Sequence, residues 1–248
     1  MSYIFTVSPD FTPEHLSGWF IFNTWLQKQT GLPIHMEMYK DYSHQRDAIR
    51  NDQISLIYAN PYDAAMLVRE KGFLPVAKPA GAADEALIAV HSKNPVEDVA
   101  QLPPGIRLAA TEDPDVKMMG MILLEPGDLD AHNVRAVPCE SYVLVAKRLL
   151  REEADAGIFL AEAFDDLSDV VKKQLKVLVR SQISVIHHSL MIGPQLADRR
   201  EEFQRRLLEM EKDPKSLGVL ESLGFKSWDK VEDEEMEFMI DLMDTLSV

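Results

Sequence analysis

The sequence has a single cysteine, Cys139, among 248 residues, which excludes an internal disulfide bond. It also lacks any apolar run close to the ~18 residues that a membrane-spanning helix needs, so we expect no membrane insertion. Basic residues are few: 26 Lys and Arg stand against 41 Asp and Glu, and the net charge is −15. Because so acidic a chain is repelled by phosphate backbones and anionic lipids, we expect no nucleic-acid partner.

Motifs of common catalytic sites are missing as well. The chain has no Gly-x-Ser-x-Gly elbow, no P-loop, no Gly-x-Gly-x-x-Gly and no His-Glu-x-x-His. Carboxylates are abundant, but no spacing pairs two of them for acid–base chemistry. The sequence therefore predicts a binding protein rather than an enzyme, with no cofactor and no metal site.

A signal peptide is not visible, because Met1–Val7 already has the pattern of a strand. Two expectations follow. The protein is periplasmic or otherwise extracytoplasmic if a leader was removed, and cytoplasmic in the alternative.

The most informative stretch runs from Ile54 to Gly72. Its first residues are a short apolar run typical of a buried strand. Asn60 then offers a helix cap and Pro61 suits the first helical turn. A strand that leads directly into a capped helix points backbone N–H groups at the carboxyl edge of the sheet, where open α/β sheets bind ligands. An ordinary βα turn is the alternative.

Strand and helix patterns alternate along the rest of the chain, beginning with a strand over Tyr3–Val7 and a helix start at Thr12 and Pro13. This order is typical of a parallel sheet covered by helices on both faces. The same pattern begins again after residue 103. We therefore expect lobe 1 to comprise residues 1–102 plus 181–248, and lobe 2, residues 103–180, to be inserted into it.

Several landmarks in this order resemble the phosphate/phosphonate-binding family of type II periplasmic solute-binding proteins, the substrate-binding components of ABC transporters. They are Asp41-Tyr42, Tyr58-Ala59-Asn60, Asp113-Pro114, Glu140, Asp155-Ala156-Gly157, Val179-Arg180-Ser181 and Leu220–Phe225. The resemblance implies an α/β fold of two doubly wound lobes joined by a two-crossing hinge, near Pro103 and Arg180, that closes on a ligand. It also implies a small-molecule ligand and, as partner, an ABC transporter permease or a sensor kinase.

The anion clamp of the family is altered in this chain. Where relatives have a Ser-Thr-Ser-Gly run after Asp-Pro, this chain has Asp115-Val-Lys-Met-Met-Gly120. The clamp histidine of relatives falls on Cys139, and their amine-reading acidic position falls on His187. We therefore expect a ligand less highly charged than phosphate, with its apolar part against Met118 or Met119.

Candidate ligand-binding residues follow from strand ends and from the resemblance. They are Tyr42, Tyr58, Asn60, Thr111, Lys117, Cys139, Glu140, Ser141, Glu162, Ser181 and His187. Structural roles are alternatives for several of them: a helix cap for Asn60, turn chemistry for Thr111 and Ser181, and a first-turn acid for Glu140.

Other readings of the whole chain stay open. A small-molecule transferase or lyase, or a cytoplasmic ligand sensor, is possible on the same two-lobed fold. The residues Cys139, Met118, Met119, His187 and His188 are a set of soft ligands, but their spacing is not that of a metal site.

Overall fold

Strands and helices alternate through most of the chain. The structure is a computed structural model that describes residues 2–10 and 15–246, so the helix start expected at Thr12 and Pro13 lies outside it. The strands of the described residues are β1 (Tyr3–Val7), β2 (Ile34–Met36), β3 (Leu56–Ala59), β4 (Leu74–Pro79), β5 (Ala86–His91), β6 (Arg107–Ala110), β7 (Arg135–Pro138), β8 (Ala156–Leu160), β9 (Leu175–Arg180), β10 (Ser189–Ile192) and β11 (Trp228–Lys230).

The helices connect these strands and close the chain. They are α1 (Leu16–Thr30), α2 (Tyr42–Arg50), α3 (Pro61–Ala65), α4 (Pro114–Leu124), α5 (Tyr142–Leu150), α6 (Ala161–Asp165), α7 (Asp169–Lys172), α8 (Arg200–Leu208), α9 (Pro214–Leu223) and α10 (Asp233–Leu246). A π-helical turn, Met66–Glu70, continues α3. In the described residues no helix is both long enough and apolar enough to cross a membrane.

The sequence predicts helix caps at Asp41, Asn60 and Ser141, and all three are confirmed. Asp41, Asn60 and Ser141 each accept the backbone N–H of the third residue further on, and thereby cap α2, α3 and α5. Gly72 follows the π-helical turn with φ +66°, a left-handed conformation that favours glycine.

The sequence pattern predicts helices over residues 95–104 and 161–174, and both predictions are too long. The segment from Pro95 to Pro104 contains only a 3₁₀ turn, Val99–Gln101, because prolines on both sides limit it. The predicted helical segment from Ala161 to Gln174 is divided into α6 and α7, with a break between them at residues 166–168.

Unit 1 comprises Met1–Ala82 and His187–Leu242 and contains a six-stranded sheet of order β11-β4-β10-β3-β1-β2. Strand β1 pairs in parallel with β2 and β3, whereas β10 runs antiparallel to both β3 and β4. Its core includes an aromatic group in which Phe5, Trp19 and Phe22 contact one another, with ring centroids 5.7–6.2 Å apart.

Unit 2 comprises Ala83–Ile186 and Met243–Val248 and contains a five-stranded sheet of order β7-β6-β8-β5-β9. Strand β6 is parallel to β7 and β8, and β5 is antiparallel to β8 and β9. Its core includes Phe159, which meets Phe164 edge-on at 5.2 Å, together with Val145 and Leu149 of α5.

The prediction of two α/β units is confirmed, but both sheets are mixed rather than purely parallel. The reason is that an apolar run shows where a buried strand lies and not which way it runs.

The unit boundaries differ from the expected ones. Residues 83–102 were expected in lobe 1, yet they belong to unit 2, because β5 pairs with β8 and β9. Residues 181–186 also belong to unit 2, and the last residues of α10, from Met243 onward, are assigned to it as well.

Candidate functional site

In unit 1 the carboxyl ends of β1 and β3 lie side by side, and a buried polar residue follows each. Ser8 follows β1, Asn60 follows β3, and both are fully buried. The Ser8 hydroxyl accepts the backbone N–H of Asn60 at 2.9 Å and its side-chain amide at 3.2 Å. These bonds connect the two strand ends at the edge where α/β sheets bind ligands.

The side chain of Asn60 is committed to this framework. Its Oδ1 accepts the backbone N–H of Asp63 at 2.9 Å, and its Nδ2 donates to Asp63 Oδ2 at 2.9 Å as well as to Ser8. Since both amide hydrogens have acceptors, capping and strand linkage account for Asn60. A ligand contact by this residue stays a prediction.

Tyr58 lies in a group of aromatic rings at the end of β3 and is 9% exposed. Its ring centroid is 4.6 Å from that of Trp19 and 5.4 Å from that of His188, which is stacked on it at 23°. His188 Nε2 lies 2.8 Å from Asp10 Oδ2. Asp10 and His188 are not among the ligand-binding residues expected from the sequence, although both stand beside elements that carry such residues.

His187, which was selected, lies in a different network of unit 1. It is 2% exposed, with Nδ1 at 3.0 Å from Ser189 Oγ and Nε2 at 3.5 Å from Glu235 Oε1. Burial acts to raise the pKa of Glu235, but its hydrogen bond from Lys78 and the nearby charges outweigh this and lower it. His187 therefore belongs to a buried polar chain, and a ligand role for it stays a prediction.

Tyr42, the first residue of α2, is half-buried, and its ring lies under the guanidinium of Arg46 at 5.4 Å. Arg46 Nε in turn donates to Asp63 Oδ1 at 2.6 Å. The network around Asp63 therefore brings the neighbourhood of Tyr42 and that of Asn60 together.

In unit 2 the parallel strands β6, β7 and β8 end at one edge of the sheet, and α4, α5 and α6 begin there. The predicted residues that follow these strands are Thr111, Lys117, Cys139, Glu140, Ser141 and Glu162. Helix N-termini at such an edge favour an anion or a hydrogen-bond acceptor.

At the start of α4, however, that position carries carboxylates. Asp113 and Asp115 are 5% and 0% exposed. Asp113 Oδ2 accepts the hydroxyl hydrogen of Tyr142 at 2.7 Å. Burial, and then the charge of Asp113, raise the pKa of Tyr142 well above its usual value, so this phenol stays protonated as a donor.

The predicted cation of this loop lies outside that buried pair, whereas the predicted hydroxyl, that of Thr111, is hydrogen-bonded to Tyr142. Lys117 is 48% exposed, and its ammonium is 3.9 Å from Glu112 Oε2. Thr111 Oγ1 accepts the backbone N–H of Asp113 at 3.4 Å. Lys117 and Glu112 are therefore at the surface, whereas the carboxyl groups of Asp113 and Asp115 are buried at the helix start.

The start of α5 combines a cap with an uncharged thiol. Ser141 Oγ accepts the N–H of Leu144 at 3.3 Å. Cys139 is 7% exposed, and burial raises the pKa of its thiol despite the nearby charge of Arg148. Glu140 is exposed, so it adds negative charge at the surface of this edge.

Glu162 and Ser181 complete the predicted set. Glu162 is an exposed residue in the first turn of α6. Ser181 is buried, donates its hydroxyl to Glu85 and accepts the backbone N–H of Ala86 at 2.9 Å. Glu85 also accepts the N–H of Ser184 at 2.7 Å, which makes this a closed turn after β9.

A cavity of about 370 Å³ in unit 2 lies at the opposite, amino end of β6. It is lined by Asn94, Val96, Leu102–Ile106 and Asp155 and includes none of the predicted residues. The soft-ligand set of the sequence is also divided, with Cys139 and the two methionines in unit 2 and the two histidines in unit 1.

The sequence matches a family described as ABC transporter, phosphonate, periplasmic substrate-binding protein, over residues 5–236. The chain belongs to this family. The resemblance read from the sequence is thereby confirmed, and the family role is binding a small molecule outside the cytoplasm for uptake by an ABC transporter. A search among curated proteins finds no match to the sequence.

Solved structures share the fold at low sequence identity. PhnD1 from Prochlorococcus marinus, in complex with methylphosphonate, has a TM-score of 0.84 at 12% identity over 99% of this chain and 98% of its own. XAC2383 from Xanthomonas citri, bound to ATP, has a TM-score of 0.81 at 15% identity over 99% and 97%. A binding protein component of an ABC phosphonate transporter from Pseudomonas aeruginosa has 0.77 at 16% over 100% and 89%.

Proposed function

We propose that this family member binds a neutral, zwitterionic or cationic organic compound rather than a phosphonate. The observation that supports the proposal is the pair of buried carboxylates, Asp113 and Asp115, at the start of α4. A helix N-terminus is a favourable place for an anion. Here two acidic side chains of the chain itself are in that place.

Coulomb repulsion makes this arrangement selective. At an effective dielectric constant of about 20, two like charges about 5 Å apart repel by about 3 kcal/mol. A phosphonate meets that repulsion from each of the two carboxyl groups that is ionised. Lys117, half-exposed beside Glu112, returns little of it because solvent screens its charge. An ammonium or a hydrogen-bond donor gains from the same carboxylates.

Each unit also offers groups of its own to a ligand: hydroxyls and aromatic rings in unit 1, and one methionine in unit 2. Tyr58 and Tyr42 offer aromatic surface and phenol groups for a polar ligand. Of the two methionines expected to line the site, Met119 is 1% exposed and packs inside unit 2, which leaves the half-buried Met118. In the periplasm, the loaded protein delivers this compound to the permease of its ABC transporter.

Native mass spectrometry of the purified protein tests the proposal first, because it gives the mass of any compound that copurifies. Calorimetric titration then compares methylphosphonate and inorganic phosphate with β-alanine and choline. We expect the amine-containing probes to bind more tightly and Asp115→Asn to weaken them at least about tenfold. Glu112→Gln, on the same loop but 72% exposed, is the matched control and is expected to change little. Micromolar binding of phosphate or methylphosphonate that is lost in Lys117→Ala contradicts the proposal.

A further inference from the structure

Arg46 lies between two tyrosine rings at the carboxyl edge of the unit 1 sheet. Its guanidinium carbon is 5.4 Å from the ring centroid of Tyr42 and 4.9 Å from that of Tyr62. Tyr42 begins α2 and Tyr62 lies in the first turn of α3, so the stack spans two helix starts. Tyr62 is 43% exposed and covers the outer side of the stack.

The guanidinium is also fixed from below by a buried carboxylate. Arg46 Nε donates to Asp63 Oδ1 at 2.6 Å, and Asp63 is 3% exposed. Asp63 Oδ2 accepts from Asn60 Nδ2 at 2.9 Å, and Asn60 is bonded to Ser8. One continuous network therefore runs from the end of β1 through the end of β3 to Arg46 and the ring of Tyr42.

A surface ion pair does not explain this geometry. The Arg46 side chain is 23% exposed, and among the described residues its buried Nη2 has no hydrogen-bond acceptor. An arginine held for ion pairing alone is expected to place its terminal nitrogens against a carboxylate as a fork. Within residues 2–10 and 15–246 only Nε has a carboxylate acceptor, and the flat guanidinium lies against the two rings instead.

We propose that Arg46 is a positioning residue that holds the ring of Tyr42 in place for ligand binding, with Tyr62 closing the stack from outside. Tyr42 stands at the start of its helix, and its phenol oxygen is buried. Contact with a flat cation that is itself anchored on Asp63 holds the ring in its rotamer before the ligand arrives. The inference rests on the proposed function only in taking Tyr42 as a ligand contact.

Fluorine NMR of protein that carries fluorotyrosine at position 42 tests the positioning directly and without any ligand. We expect one narrow resonance for the unsubstituted Arg46 protein. In Arg46→Met the resonance is expected to shift and broaden, because the ring gains rotamers. Arg46→Lys keeps a cation near Asp63 but lacks the flat guanidinium. Its fluorine resonance is therefore expected to be narrower than that of Arg46→Met but broader than that of the protein with Arg46. Arg50→Met on the same helix, at a side chain that is 58% exposed, is the matched control.

A double-mutant cycle connects this to binding. The probe is either methylphosphonate or β-alanine, whichever the wild type binds more tightly. If methylphosphonate is the tighter probe, the proposed function fails, but the cycle still tests the role of Arg46. We expect Arg46→Met to weaken binding roughly tenfold in the wild type. It is expected to add little in Tyr42→Phe, because that variant lacks the hydroxyl for which the ring is positioned. An unchanged fluorine spectrum in Arg46→Met, or multiplicative effects in the cycle, overturns the proposal. If neither probe binds, the fluorine spectrum alone decides.

Discussion

Replacing Gly18 by alanine is expected to force α1 and α9 apart. A Cβ built on Gly18 lies 2.0 Å from the carbonyl oxygen of Ser222 and 2.6 Å from its carbonyl carbon. Because both are backbone atoms, no side chain can rotate away to make room. Overpacking of this kind lowers the free energy of unfolding by about 3 kcal/mol at the upper end of its usual range. The better helix propensity of alanine returns up to about 1 kcal/mol, which leaves a net loss of about 2 kcal/mol.

Gly218→Ala is the matched control, because it makes the same chemical change on the partner helix α9. A Cβ at Gly218 meets no atom within 4 Å, so only the propensity gain remains. We expect this variant to be more stable than the wild type by about 0.5–1 kcal/mol.

Urea denaturation followed by tryptophan fluorescence measures both variants. All three tryptophans, Trp19, Trp25 and Trp228, belong to unit 1, so the signal reports the unit in which both glycines lie. Opposite shifts of the urea midpoint for the two variants support the reasoning. If Gly18→Ala is as stable as the wild type, the helix pair separates without loss and the packing argument is refuted.

Asn60→Ala is expected to lower the free energy of unfolding of unit 1 by about 2–3 kcal/mol, since it removes a helix cap and leaves the buried N–H of Asp63 without its acceptor. Tryptophan fluorescence measures the stability of this variant. Ser141→Ala in unit 2, followed by circular dichroism, is the comparison, because a simple cap is expected to contribute only ~1 kcal/mol. If Asn60→Ala loses no more than that, the expectation is refuted. Asp155→Asn is expected to lower the free energy of unfolding at neutral pH, because hydrogen bonds from the side chain and backbone of Arg107 lower the pKa of Asp155. The expected loss is only about 0.5–1 kcal/mol, since both side chains are more than a third exposed and solvent screens the pair. Since the folded pKa is the lower one, this stability is present above the unfolded pKa of about 3.9 and lost as pH falls through the folded pKa. Circular dichroism melts across this pH range are expected to show that the stability difference between Asp155→Asn and the wild type disappears in acid. A stability difference that grows in acid contradicts the prediction.

The sequence was most informative where a structure depends on neighbours along the chain. Asp41, Asn60 and Ser141 cap helices because the N–H groups that they accept are three residues away. Strand direction depends on distant partners. Neither the apolar run of β5 nor that of β10 shows that the strand lies antiparallel between two others.

The candidate site was harder to predict for the same reason. His187 and His188 are adjacent just before β10, yet they enter different networks: His187 lies near Glu235, whereas His188 stacks on Tyr58. The hydrogen bond from Tyr142 to Asp113 joins residues 29 positions apart and follows from the pairing of β6 with β7. Sequence periodicity contains neither relationship.

The buried thiol of Cys139 makes the protein convenient for site-specific spectroscopy. Labelling reagents react with thiolates that solvent reaches, and this thiol is both 7% exposed and raised in pKa by burial. Because the sequence has no other cysteine, a cysteine introduced on an exposed surface reacts selectively while Cys139 is left in place. Pairs of introduced cysteines, one in each unit, can then carry spin labels or fluorophores whose separation is measured with and without added compounds.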